Sequence, residues 1–361
     1  MKNINKILGL SFSLFGFVFA YPNLPVGVKN GVGGIINDTL YVGLGSAGDK
    51  IFSLDLNDKN ARWKELSAFP DKERNQSVFG IIDNKLYVLG GFGKNDNGLT
   101  ENKDGGFIYD IAKDKWTPLN THAPRGLGGS SGAVDDKIIY VLGGVNTRIF
   151  NGYFLDIENA KTKDQKDLVA SKYFDKPPKD YFFNNNVLAY DIAKNEWHNL
   201  GVTPFPGLAG AAFNINKNEL YVINGEIKPG LRTKKAHLGK ITKDAIKWQD
   251  LPDLIAPKGS VQDGLAGAFS GFLGDKLIVA GGANFPNSIK AFESGQNYAH
   301  KGLSKAWHKE IYALKNGKWS VIGALKGGRA YGLSVIYKNQ LLLVGGEGEG
   351  GKTLDTIEVI K

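Results

Sequence analysis

The chain has 361 residues, with 45 Lys and Arg against 36 Asp and Glu, a formal net charge of +9, five histidines and no cysteine. Zero cysteine excludes disulfides, thiolate nucleophiles, thiolate metal sites and thioether cofactors, and the histidines at 122, 198, 237, 300 and 308 lack the clustered spacing of a catalytic metal site, so neither metal nor cofactor is expected. The positive charge is diffuse, without lysine–arginine blocks, which speaks against nucleic acid and suits a small anionic ligand.

At the N-terminus Lys2 and Lys6 lead into an apolar run from Ile7 to Phe19, and Val18-Phe19-Ala20 has the small-residue character of a cleavage site. Residues 1–20 are expected to be a secretory signal peptide cut after Ala20, leaving 21–361 as one domain. No later run reaches the roughly 18 apolar residues that a spanning helix needs, so no membrane insertion is expected after cleavage.

Six times an apolar strand then runs into a small glycine-rich corner: Gly43-Leu44-Gly45, Gly90-Gly91, Gly143-Gly144, Asn224-Gly225, Gly281-Gly282 and Gly345-Gly346. Five tryptophan strands follow, at Trp63, Trp116, Trp197, Trp248 and Trp319. In the second unit Ser77–Ile82 predicts a first strand, Leu86–Leu89 a second, Phe107–Asp110 a third, and Trp116–Leu119 a fourth. A four-stranded unit cannot bury its own faces, so the repeat predicts units stacked in a ring, with the tryptophans as packing between them.

The sixth unit ends at Lys361 without a tryptophan strand, and Tyr21-Pro22-Asn23-Leu24-Pro25 matches the spacing of Trp248-Gln249-Asp250-Leu251-Pro252. The segment Tyr21 to Pro25 is therefore expected to supply the missing fourth strand and close the ring. The glycine pair, Tyr-Asp and tryptophan together resemble the kelch repeat. The expected fold is all-β, a six-bladed kelch-type β-propeller with long loops on one face.

The long insertions, Phe92–Gly106, Val145–Asn186, Glu226–His237 and Ala283–His308, all join second to third strands. Strand alternation sends them to the face where the first strands begin, together with Arg74, Arg125 and Arg329. Several arginines at one mouth predict a carboxylate-binding site. The sharpest local signal is Asn224 to Arg232. A carboxylate, Glu226, sits at a corner where other units are read as carrying a second glycine or a neutral residue, and Arg232 follows after a Pro-Gly turn. A general base and an anion-binding group could share one mouth there, and a salt-bridged loop is the bland alternative.

Beyond the repeat, the chain resembles the N-acetylneuraminate epimerases, the bacterial sialic acid mutarotases. The residues that carry the likeness are Tyr41–Gly48, Phe150–Phe154, Asp180–Asn184, Asn224–Thr233, Asn297–His300 and Gly328–Gly332. The resemblance implies a periplasmic isomerase that interconverts the anomers of free N-acetylneuraminate, a small anionic sugar, with a homodimer allowed. It implies Glu226 as proton acceptor and Arg232 as carboxylate clamp. Arg329, Arg125, Arg74 and Lys228 are further expected substrate contacts, and Tyr331 and His300 the candidates for the acid. The rival expectation is a non-catalytic sialic-acid- or glycan-binding kelch propeller. A copper-oxidase propeller would need a cysteine, and a sialidase its Ser-x-Asp-x-Gly-x-Thr-Trp boxes; the sequence has neither.

Overall fold

The computed structural model describes residues 21–243 and 245–361; the expected signal peptide lies outside them. Among the described residues, short strands with tight turns fold into six antiparallel blade sheets and three two-stranded ribbons. Blades one to five each have four strands, lying within residues 32–65, 78–122, 130–202, 212–251 and 269–324. The sixth, within 333–360, has three. Because both faces of each sheet are covered, the second strands are almost wholly apolar, as in Leu341-Leu342-Leu343-Val344, each fully buried.

The core is divided into wedges between blades. Val78, Leu89 and Leu127 meet Val141 and Tyr190 between blades two and three, while Ile278 and Ala280 meet Leu341 and Leu343 between five and six. Three tryptophans tie a blade to the preceding segment: Trp116 Nε1 donates to Ser67 O (3.0 Å), Trp319 Nε1 to Pro252 O (2.9 Å) and Trp63 Nε1 to Pro22 O (3.2 Å).

At the junction of blades six and one, Tyr21–Pro25 does not form the expected laddered strand. Pro22 and Pro25 lack the N–H groups a ladder needs. The segment instead lies beside the last blade, with Leu24 N donating to Asp355 O (2.7 Å) and Val28 N to Leu354 O (3.1 Å). Leu24 and Val28 are buried among Val42, Leu333 and Val344, with Tyr21 packed on the same wedge.

All four insertions contain regular structure instead of plain loop. In blade two the strands Lys85–Lys94 and Thr100–Asp110 continue outward past a bulge at Leu89–Gly91, so most of Phe92–Gly106 is hairpin. In blade three, Asn146 caps α1 (Thr147–Asn159), and Thr162 with Gln165 forms a capping box at the start of α2 (Lys163–Phe174). No helix among the described residues is long and apolar enough to cross a membrane.

Candidate active site

The mouth of the central channel is built on a ring of backbone. Asn30, Gln76, Gly129, Gly210, Gly267 and Tyr331 occupy equivalent positions ahead of the six first strands, and all are left-handed, with φ between 51° and 72°. Neighbouring blades clasp through them. Asn30 N donates to Tyr331 O (2.8 Å), Gln76 N to Asn30 O (3.1 Å), Gly210 N to Gly129 O (2.9 Å), Gly267 N to Gly210 O (2.9 Å) and Tyr331 N to Gly267 O (2.7 Å). Glycine takes this conformation without strain, whereas a tyrosine holds it at a cost of about 1–3 kcal/mol. Tyr331 is therefore fixed in place by its blade contacts, with its ring against Gly267, where a Cβ would come within 2.2 Å. The channel behind the ring has a volume of about 920 Å³ and is lined mainly by small and apolar residues; Glu226, Lys305, Tyr331 and Glu347 stand at its polar end.

The segment Glu226 to Arg232 is a two-stranded ribbon, Glu226–Lys228 against Leu231–Arg232, turned by Pro229-Gly230. Its register puts Glu226 opposite Arg232, and Arg232 Nη2 meets Glu226 Oε1 at 2.7 Å. The same Nη2 lies 3.4 Å from the Tyr331 hydroxyl. Glu226 keeps about a quarter of its side chain exposed, whereas Arg232 is 4% exposed and stacks 5.0 Å from the Phe285 ring centre. Burial pushes the guanidinium pKa down, but Glu226 and Tyr331 outweigh it and the net direction is up, so Arg232 is a permanent cation. Tyr331 is pushed up by burial and by Glu226, against the pull of Arg232, and stays a neutral phenol that can donate a proton.

In this geometry Arg232 has partners within the protein where the sequence reading expected a substrate carboxylate. Its Nη2 is held by Glu226 and Tyr331, while Nε and Nη1 are shielded inside the protein without partners. Arg232 orients the carboxylate and the phenol instead of standing open to an incoming anion.

Lys228 likewise has its partners within the protein. It is fully buried, and its ammonium donates to the carbonyls of Phe174 (2.9 Å), Lys176 (2.5 Å) and Asn297 (2.5 Å). It buttons the insertions of blades three and five onto the ribbon. Burial pushes it down to about 8, with Asp175 opposing.

His300 is wedged among Phe174, Phe285 and Tyr298, with Nδ1 buried and unpartnered against Gly230. A Cβ on Gly230 would sit 1.8 Å from that nitrogen, and Gly230 has φ +82°, so packing and turn both demand glycine. Burial first, then Arg232 and Lys228, push the imidazole down to about 4. It is neutral at physiological pH and cannot serve there as an imidazolium acid.

The three expected mouth arginines are staples between strands. Arg74 binds Asp71 (2.7 Å) and Gly90 O (2.9 Å), and Arg329 binds Thr356 Oγ1 (2.7 Å), Leu343 O (3.4 Å) and Glu358 (3.5 Å). Arg125 reaches Asn186 Oδ1 (3.2 Å) and Ser130 Oγ (3.2 Å) beside a separate surface cleft, and burial pushes it down to about 10. None of them lines the channel. Strand direction placed them near the mouth, but their partners, both side chains and backbone carbonyls, come from neighbouring turns and strands that local sequence does not pair.

The sequence reading missed two groups, Glu347 and Lys305. Glu347 follows Gly345-Gly346 at the blade-six position equivalent to Glu226: Glu226 bridges Ala209 and Glu347 pairs with Ala330, each just ahead of a ring residue. A carboxylate at the corner is thus not confined to blade four, and the run Gly-Gly-Glu was the available signal. Glu347 is buried and ion-paired with Lys29 (2.7 Å) and Lys305, and accepts from Trp307 Nε1 (2.9 Å). Burial pushes its pKa up, but these donors overcome it and hold it below the ordinary value. Among the described residues no cluster of three or more His, Asp or Glu side chains is placed to hold a metal.

Comparison with known proteins follows the same outline. The family model described as N-acetylneuraminate epimerase matches residues 21–361. A relative named N-acetylneuraminate epimerase from Haemophilus influenzae (strain 86-028NP) is 52% identical over 341 residues, covering 94% of this chain and 91% of its own. Another of that name from Yersinia enterocolitica serotype O:8 / biotype 1B is 45% identical over 350 residues, covering 95% and 89%. A solved structure described as that of YjhT superposes with a TM-score of 0.89 at 41% identity, covering 94% of this chain and 99% of that one.

Proposed function

The chain belongs to the N-acetylneuraminate epimerase family, and from that premise we propose that it is a carbohydrate isomerase acting at the mouth formed by Glu226, Arg232 and Tyr331. The observation that carries the reading is a carboxylate and a neutral phenol held by one buried guanidinium nitrogen. Exchange of anomers requires opening the sugar ring at C2. Glu226 takes the proton of the anomeric hydroxyl, the C2–ring oxygen bond breaks as the C2 carbonyl forms, and Tyr331 gives its proton to the departing ring oxygen. The open ketone then turns about its bond to the rest of the chain. Reclosure runs the two transfers backwards: the ring oxygen attacks the other face of C2 and returns its proton to Tyr331, while Glu226 returns its own to the new hydroxyl. Every atom and proton is restored, so the residues present complete the cycle. Arg232 supports both transfers, because a buried cation beside Tyr331 lowers the cost of the phenolate formed in passing.

The reading includes export to the periplasm as a kelch-type propeller of residues 21–361, with residues 1–20 removed after Ala20. The deciding experiment follows the decay of freshly released α-anomer by proton NMR with and without the mature protein. Faster decay supports an isomerase. An unchanged rate with saturable sugar binding would leave a glycan-binding propeller in its place.

A further inference from the structure

The carboxylate of the sugar sits on C2 itself, so whichever cation receives it fixes the reacting carbon between base and acid. Arg232 is turned inward, with its free N–H groups shielded. A further positive charge at the mouth, the Lys305 ammonium, lies against the ring of Tyr331.

Lys305 comes from the blade-five insertion. The strand pair Ala283–Asn284 with Ala306–Trp307 carries it back over the next blade. Its ammonium lies 4.5 Å from the Tyr331 ring centre and 5.0 Å from that of Trp307, and it pairs with Glu347. About a quarter of its side chain is exposed, and it lines the channel. An ammonium has three N–H donors, and Glu347 engages one edge of it. Glu226 is balanced by Arg232, whereas Glu347 faces two lysines, Lys29 and Lys305. The lysine side of the mouth therefore holds a positive charge in excess of its carboxylate, directed at the channel by two aromatic faces.

We propose that Lys305 is the group that binds the substrate carboxylate, positioning C2 so that its hydroxyl faces Glu226 and its ring oxygen faces Tyr331. Glu347, Trp307 and Lys29 hold Lys305 in that place. The assignment rests on the proposed isomerase reading for the identity of the anion, but not for the presence of an anion subsite.

The test compares N-acetylneuraminate with its C1 carboxamide, which keeps the ring and loses the charge. Dissociation constants are taken from calorimetric titration and KM and kcat from NMR anomer exchange, for wild type, Lys305→Met, Lys305→Arg and Lys29→Met. Losing a charged hydrogen bond predicts that Lys305→Met weakens binding of the acid roughly 10- to 100-fold and of the carboxamide less than threefold. Lys305→Arg should recover most of the affinity for the acid. Lys29→Met, which removes the excess charge and a partner of Glu347 but no direct contact to the ligand, should weaken binding of the acid by less than about a third of the factor lost in Lys305→Met.

Equal losses on acid and carboxamide for Lys305→Met, or the same acid-selective loss for Lys29→Met, would overturn the assignment. Catalysis without selective dependence on Lys305 would refute the subsite and leave the isomerase standing. Selective binding through Lys305 without catalysis would do the reverse.

Discussion

Glu226 and Arg232 are cross-strand partners in one short ribbon, and their side chains meet at 2.7 Å where that ribbon enters the channel mouth. The pairing sets the carboxylate by covalent geometry: a turn of Pro229 and Gly230 leaves little freedom in where residue 226 points relative to 232. Fixing a base in this way removes orientational entropy from the reaction before the sugar arrives.

Glu226→Gln keeps the shape and its place opposite Arg232 but deletes the proton acceptor. General-base catalysis is worth about 10²–10⁴ in rate, so kcat for anomer exchange should fall by that range while the protein still folds, with a lower melting temperature because buried Arg232 loses its counter-charge. A loss below tenfold would assign Glu226 a structural role only.

Arg232→Lys should impair catalysis nearly as much as Arg232→Ala. One guanidinium nitrogen serves both Glu226 and Tyr331, and a lysine lacks the planar fork that lets the buried group do so. In both variants kcat should fall more than KM rises, because the substrate carboxylate is not the partner lost. A lysine variant with wild-type kcat would show that charge alone suffices at 232.

The low value for His300 gives a pH dependence with a definite sign. The folded imidazole protonates near 4 and an unfolded one near 6.5, so the unfolded chain binds the proton first. This residue's contribution to stability is constant above pH 7 and is lost as pH falls from about 6.5 to about 4. Melting temperatures at pH 7 and pH 4.5 should therefore converge in His300→Gln relative to wild type. An identical acid-induced drop in both proteins would contradict the assignment.

Closure of the ring makes a stability prediction. Leu24 is 3% exposed in the wedge between blades six and one. Leu24→Ala should cost about 2–5 kcal/mol, and deletion of Tyr21–Pro25 should cost more, seen as a lower melting temperature and aggregation on heating. A truncated protein that melts like the full mature chain would mean that the ring is sealed without this segment.

The blades were legible because each carries its own corner: Gly281-Gly282 follows a strand end and Gly90-Gly91 marks a bulge where the strand bends outward. Glu226 and Arg232 were legible because a short turn links them. Lys305 and Glu347 were not, since residues of different blades become neighbours only after the blade-five insertion folds back. The arginines 74, 125 and 329 misled for a related reason. A cation that is satisfied by side chains and carbonyls of neighbouring turns and strands has the same local sequence as one that waits for a ligand. The capping box at Thr162 and Gln165 announced a helix that the strand pattern overshadowed.

The left-handed residues that clasp blade to blade at the entrance have a consequence for how this site can change. Since, among the described residues, main-chain bonds span five of the six junctions around the bore, all but the one between Gln76 and Gly129, its diameter is set largely by peptide geometry and blade number. Side chains projecting past that hoop can be exchanged without widening or narrowing it. Selectivity can thus be rewritten at Lys305 or Glu347 by altering charge alone, on an aperture that stays the same size. Tyr331 is the exception, because it is both a link of the hoop and a tool of the site.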